Sequence, residues 1–233
     1  SYNPARQWAG LFDEIVEKTF PGSAYNYIGG NVQGREPMLN SECGAVWGYS
    51  GSTGDIDITW EYHIMMNEFR KRPKIAGFLF TEFHDVINEW NGYYRFDRSI
   101  KEFGLEELCP GMSMSDLHSD LYVVAGDDFF RSYRGGSTVQ IPIGLSAFTN
   151  DIPDGLMIEY SLSGWDSEGE KFNGTNGEIP AKAEPFTFVS LEPAKVELPD
   201  VNSVMILAVT LKDGAGNLLQ KNFVPFRVEG KGP

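Results

Sequence analysis

The 233-residue chain is short of cysteine, histidine and positive charge, and each shortage removes a class of function. Lysine and arginine number 19 against 33 aspartates and glutamates, a formal net charge of −14. A protein that neutralises phosphates needs a basic stripe or patch, so nucleic acid is not an expected partner. Polyanionic substrates are disfavoured on the same ground, while the acidity itself speaks to solubility more than to function. The two cysteines, Cys43 and Cys109, lie far apart and form no CxxC or Cys/His cluster. The histidines His63, His84 and His118 are scattered, without HExxH spacing, so no metal site is expected. Cys43 reads as a free buried thiol, with a disulfide as the alternative. No run of about eighteen apolar residues occurs, so no membrane span is expected. The opening Ser1-Tyr2-Asn3-Pro4 is not a signal peptide and reads as mid-protein sequence. Neither an internal repeat nor a low-complexity segment is present.

What is there supports a folded protein. A hydrophobic fraction of 41% is enough for a packed core, and the length permits one large domain or two ordinary ones. Aromatics make up 13%, which suits stacking on sugar faces and suits an ordinary core equally. Residues 5–20 have helical periodicity, with an apolar stripe of Trp8, Leu11, Phe12, Ile15 and Val16 that Pro21-Gly22 ends. A Gly-rich loop runs to Arg35, and Glu36 to Glu42 reads as a short buried strand. After a second loop, residues 57–72 read as a helix, with Asp57 as N-cap and Arg70, Lys71 and Arg72 in the last turn, where cations suit the dipole. Pro73 stops it. Ile75 to Phe80 is an apolar run of strand length, followed by the polar set Thr81, Glu82, His84 and Asp85. Helix then strand, with reactive side chains at the strand's C-terminal end, is the grammar of a β/α barrel.

Beyond about residue 116 the pattern changes to short alternating runs. These are Leu121–Val124, Thr138–Phe148, Gly155–Ser163, Pro185–Leu191, Val204–Lys212 and Leu218–Val228, with turn pairs such as Asp154-Gly155 and Asp213-Gly214 between them. They predict an immunoglobulin-like β-sandwich over 117–233, without the Cys…Trp…Cys spacing of antibody domains. Pro110–Ser119 reads as the linker. The acidic pair Asp127-Asp128 reads as a turn, since the run of oxygen ligands that calcium needs is missing.

Hydrolysing a glycosidic bond with retention needs two carboxylates about 5–5.5 Å apart, one to attack the anomeric carbon and one to protonate the leaving oxygen. Glu42 closes a strand, and Gly44 beyond it lets backbone and substrate approach; a solvated or salt-bridged glutamate is the plainer reading of that position alone. The stretch Pro37-Met38-Leu39-Asn40-Ser41-Glu42-Cys43-Gly44 resembles the nucleophile segment of family 2 glycoside hydrolases, where a Ser-Glu-Tyr-Gly or Ser-Glu-Phe-Gly pattern ends the seventh barrel strand. Trp60-Glu61-Tyr62, Pro73 to Phe78, and Thr81-Glu82-Phe83-His84-Asp85 are similar to that family's last helix and eighth strand. Asn91-Gly92, Phe96-Asp97-Arg98 and Lys101 continue the likeness, which covers residues 1 to about 115.

The resemblance implies an α/β plus all-β chain. Residues 1–116 would be the last two units of a (β/α)8 TIM barrel, and 117–233 an immunoglobulin-like accessory sandwich. It implies Glu42 as nucleophile, with Glu82, Trp47, Trp90, His84 and Asp85 as substrate-binding candidates. Glu82 and Asp85 could also be ion-paired to Arg95 or Arg98, and the tryptophans could be core. The family's acid/base follows an asparagine after the fourth strand. Neither Asn67-Glu68 nor Asn88-Glu89 stands in that order, so the acid/base is expected in a missing upstream part of the same polypeptide. A complete barrel needs about 250 residues, so the chain is expected to be a fragment, inactive alone. Asn91-Gly92-Tyr93 replaces the Asn-x-Lys element of β-glucuronidases, which implies a neutral sugar, a β-galactoside by default. No cofactor is required, and the partner is a carbohydrate. By analogy the location is periplasmic or secreted. The alternative is a non-catalytic carbohydrate-binding or structural accessory fragment; an exposed aromatic row on one sheet face would favour binding, buried aromatics bracing.

Overall fold

The computed structural model describes residues 5–44, 59–87, 89–128 and 130–232. The chain is β-rich with few helices and divides into two compact units, residues 1–104 and 105–233.

In the first unit a 3-10 turn, Ala5–Gln7, leads into α1, Trp8–Lys18. The helix buries Trp8 and Phe12, and the backbone turns extended at Thr19, just before Pro21. Strand β1 spans Met38–Cys43, α2 spans Thr59–Arg70 and β2 spans Ile75–Phe80. β1 and β2 pair in parallel with α2 between them in sequence, a βαβ unit. An aromatic stack ties the layers together: Phe12 of α1 lies 4.6 Å from Phe69 of α2, which lies 5.1 Å from Phe78 of β2. Arg72, just past α2, fastens the two helices. Its guanidinium donates to Glu68 (2.7 Å), to Asp13 (2.8 Å) and to the Ala9 carbonyl (3.0 Å). That network accounts for Glu68, half of the Asn67-Glu68 pair, as a structural carboxylate.

β1 departs from expectation. The sequence pattern predicts a buried strand, yet Leu39 is 60% exposed and Leu79 of β2 is 56% exposed. Parallel sheets normally have both faces covered, whereas in this two-stranded sheet the described residues leave the Leu39 and Leu79 side chains uncovered.

His63 of α2 is fully buried, with its Nδ1–H donated to the Trp60 carbonyl (2.6 Å). Burial pulls its pKa down to about 4. A histidine depressed in the folded state is stabilising above its unfolded pKa, and that contribution is lost as pH falls. Stability should therefore decline between about pH 6.5 and pH 4, by about 3 kcal/mol, in urea unfolding at a series of pH values. A His63→Gln chain should show a flatter acid limb; an unchanged limb would assign the decline to other groups.

The second unit begins with a short helix, α3, Leu105–Leu108, and a 3-10 turn, Met114–His118, opened by a capping box between Ser113 and Asp116. Ten strands follow: β3 (Leu121–Ala125), β4 (Ser132–Arg134), β5 (Thr138–Ile141), β6 (Ile143–Ala147), β7 (Met157–Asp166), β8 (Lys171–Pro180), β9 (Phe188–Ser190), β10 (Ala194–Glu197), β11 (Ser203–Lys212) and β12 (Leu218–Glu229). They form a five-stranded sheet, β4-β12-β11-β7-β8, a three-stranded sheet, β3-β6-β9, and a β10-β5 ladder. One hydrophobic core draws on all three, a β-sandwich. Met205, Leu207, Val209 and Leu211 alternate inward along β11 and meet Leu121, Val123 and Leu145 of the smaller sheet and Ile141 and Val196 of the ladder.

The expected single strand over 138–148 is two, because Pro142, which cannot donate to a ladder, divides it; β5 pairs with β10, while β6 pairs with β3 and β9. Pro110–Ser119, which composition marks as linker, is fastened to β12. Asp116 accepts the Lys221 N–H (2.8 Å), and Lys221 Nζ reaches the Pro110 carbonyl. Asp127 and Asp128 face Arg131 at 3.2 and 3.6 Å.

Candidate active site

The parallel pairing sets Cys43 beside Phe80, and the Thr81 N–H continues the ladder by donating to the Cys43 carbonyl (2.7 Å). Glu42 and Glu82 therefore leave neighbouring strand ends that run the same way. The alternation of β1 breaks at Ser41-Glu42, where its register against β2 shifts, and this leaves Glu42 exposed while Cys43 is fully buried. The Cys43 thiol donates to the Leu79 carbonyl (3.3 Å), and burial pushes its pKa up to about 12. Both cysteines are free. Protonated and sealed, the Cys43 thiol is no nucleophile.

Behind the strand ends Phe80 stacks on Tyr93 and tilts against Tyr62, 4.4 Å from each. The Tyr62 and Tyr93 hydroxyls are 2.7 Å apart, and burial raises the Tyr93 phenol. α2, β2 and the following loop thus share one aromatic support.

That loop folds back on itself. Tyr93 N–H donates to the Glu82 carbonyl and Tyr94 N–H to that of Phe83, both at 3.2 Å. The buried Asn91 amide donates to the Thr81 carbonyl (2.5 Å). Gly92 is required here: a Cβ would collide with the His84 and Asp85 backbone. Asp85 accepts the Gly92 N–H (2.9 Å) and the Lys101 ammonium (2.6 Å), and Lys101 also donates to the Trp90 carbonyl (2.8 Å). The Asp85 partner is Lys101, neither Arg95 nor Arg98.

Glu82 stands apart electrostatically. Its Oε1 is buried with no hydrogen-bond partner. Desolvation first, then the neighbouring carboxylate of Glu89, holds its pKa above the usual range, against a smaller opposing pull from His84. A carboxyl group so placed holds its proton more readily than a solvated one. His84 is half-buried and its Nδ1–H donates to the Asp85 carbonyl (2.7 Å). Trp90 is half-buried. Trp47, Asp55 and Asp57 lie outside the described residues. Sequence reasoning set Glu89 aside for its position in the order and gave Lys101 no partner. Among the described residues, no group of three or more His, Cys, Asp or Glu could hold a metal ion. No helix among them is long and apolar enough to cross a membrane.

No family model matches the chain, and no curated protein does. Among solved structures, the exo-chitosanase CsxA of Amycolatopsis orientalis aligns at 10% identity over 72% of this chain and 18% of its own, with a TM-score of 0.39. The sporulation control protein Spo0M of Bacillus subtilis aligns at 12% identity over 48% of this chain and 49% of its own, with a TM-score of 0.32. The alkylpurine DNA glycosylase AlkC of Pseudomonas fluorescens aligns at 11% identity over 49% and 32%, with a TM-score of 0.29. The chain thus spans about half of Spo0M and less than a fifth of the chitosanase, and likenesses this distant assign it no activity.

Proposed function

We propose that the chain is the C-terminal part of a retaining exo-β-glycosidase of the family 2 type, acting on a neutral sugar, a β-galactoside by default. The observation that carries this reading is the βαβ unit that brings Glu42 and Glu82 to neighbouring parallel strand ends, with Glu42 exposed to a substrate. In a barrel these would be the seventh and eighth strands, and the bare apolar surface at Leu39 and Leu79 suits a sheet that further β/α units continue.

In the proposed reaction the Glu42 carboxylate attacks the anomeric carbon and the bond to the leaving oxygen breaks. That oxygen takes a proton from a glutamic acid upstream of this chain. Water, deprotonated by the same residue, then releases the sugar and regenerates Glu42. Glu82, His84, Trp90 and Trp47 are proposed to meet sugar hydroxyls and faces, while Asp85 is committed to Lys101. A neutral sugar also suits the cation nearby: the Lys101 ammonium already serves Asp85 and the Trp90 carbonyl, and the Asn91 amide serves the Thr81 carbonyl.

The sandwich is proposed as an immunoglobulin-like brace more than a sugar-binding module. Tyr122, Phe223 and Phe226 are buried, and Trp165 is half-buried with the Lys171 ammonium 5.2 Å over its ring. The experiment is to expose the longer polypeptide to a 2-deoxy-2-fluoro β-galactoside with a good leaving group and to map the adduct by peptide mass. Sugar on the peptide carrying Glu42 is expected, and an adduct on another carboxylate would overturn the assignment. The 233-residue chain alone should release no nitrophenol from a nitrophenyl β-galactoside.

A further inference from the structure

The loop from Thr81 to Lys101 carries the half-buried carboxyls of Glu82 and Glu89 and the buried carboxyl of Asp85, with which the Lys101 ammonium is buried. Lys101 and Asp85 meet at 2.6 Å, each side chain 2% exposed. The route back is built by the turn at Arg95–Ser99. Arg95 N–H donates to the Ser99 carbonyl (2.9 Å), Asp97 caps the Ser99 N–H (2.9 Å), and Arg98 takes a left-handed φ of 68°. Ile100 then pairs with Tyr94, and Lys101 reaches across sixteen residues to Asp85.

A buried ion pair adds little net stability, because desolvation consumes most of the attraction, but it tolerates few geometries. Its contacts bracket the candidate site. Lys101 holds the Trp90 carbonyl and Asp85 holds Gly92, while Asn91 between them and Tyr93 just beyond are tied to the carbonyls of Thr81 and Glu82. We propose that Lys101 is a positioning residue, which through Asp85 and the Trp90 carbonyl clamps residues 81–85 to residues 91–94. The clamp keeps the Glu82 carboxyl against Glu89, at the strand end beside Glu42. The importance of Glu82 rests on the glycosidase reading; the clamp itself does not.

The test is a carboxyl carbon-13 titration of Glu82 in the whole chain, its signal assigned with Glu82→Gln. In the unaltered chain Glu82 should titrate above the ordinary carboxylate range, under the influence of Glu89, Asp85 and His84. In Lys101→Met, which keeps the Asp85 charge, the midpoint should drop into that range as the loop loosens and water reaches Glu82; in Asp85→Asn/Lys101→Met, which leaves neither charge unpaired, it should drop further than in Asp85→Asn alone. A folded variant with native far-UV circular dichroism and an unshifted Glu82 midpoint would overturn the proposal. So would failure of both variants to fold, which would make the pair a requirement of folding. The titration needs no turnover, so an adduct away from Glu42 would sink the glycosidase reading and leave this result standing.

Discussion

Glu42→Gln in the longer polypeptide should lower kcat on an aryl β-galactoside by a factor on the order of 10⁴ to 10⁶, the scale seen when a hydrolase loses its nucleophile. The substitution keeps shape and removes only the charge, and an amide cannot form the glycosyl ester. Glu42 is exposed on β1, so folding should be nearly untouched, within about 0.5 kcal/mol. Substrate affinity should also change little, so the loss falls on kcat and KM stays near its original value. Glu82→Gln should behave differently: a residue that meets sugar hydroxyls should raise KM and lower kcat by a smaller factor, about 10 to 100. Initial rates at saturating and limiting substrate separate the two patterns. Full activity in Glu42→Gln would remove the nucleophile assignment and leave a bracing or binding role for the chain.

Local pattern accounts for much of the fold. The periodicity of residues 5–20 anticipates α1, and the run from Ile75 to Phe80 coincides with β2, because apolar spacing and flanking prolines act within a few residues. The strands without a local signal are β4, β8 and β10. β8 is the clearest case. Lys171–Pro180 contains Asn173, Gly174, Asn176 and Gly177, residues that favour turns, and it has no alternating apolar face. It is a strand because β7 supplies an ordered partner along most of its length, and pairing overrides weak propensity. The exposure of β1 was equally invisible, since Met38 to Cys43 reads the same whether its face is covered or bare.

The candidate site divides along the same line. That Glu42 and Glu82 stand at strand ends follows from the order strand, helix, strand, and parallel pairing then makes those ends neighbours. The partnership of Asp85 with Lys101 has no such signal. Arg95 and Arg98 are nearer in sequence, but the turn between them sends Arg95 to the Ile100 carbonyl and returns Lys101 to the interior. The raised pKa of Glu82 comes first from burial and then from Glu89, seven residues on, which the turn at Val86–Glu89 brings back. Each of these is a contact made by loop geometry, which composition and spacing do not encode.

The largest stability effect should come from two amides inside the sandwich. Among the described residues β3 is an edge strand of its sheet, paired with β6 alone, and the Val123 N–H and carbonyl point off that edge. Both are met by side chains of β12 in the other sheet: Gln220 Oε1 accepts the Val123 N–H (3.1 Å), and the Asn222 amide donates to the Val123 carbonyl (2.7 Å). Gln220 and Asn222 are fully buried, at the inward positions where the same strand later carries Val224 and Phe226. They stitch the two layers with hydrogen bonds where a hydrophobic pair would leave buried backbone groups unpaired. Leucine approximates the volume of either amide, so Gln220→Leu/Asn222→Leu tests the bonds and not a cavity. Orphaning the Val123 N–H and carbonyl, with loss of the Gln220 bonds to the Asp116 and Lys221 carbonyls and the Asn222 bond from the Phe223 N–H, should cost about 3–5 kcal/mol, more than the added apolar surface returns. Urea unfolding followed through the β11 and β12 amide signals should show a lower midpoint at an unchanged m-value, with faster hydrogen exchange at Val123. The single variants should fall short of half the double effect, because each leaves one stitch in place and the pair is coupled. A double variant within about 1 kcal/mol of the parent would mean that water or a shifted backbone satisfies Val123, and that packing alone holds the layers together.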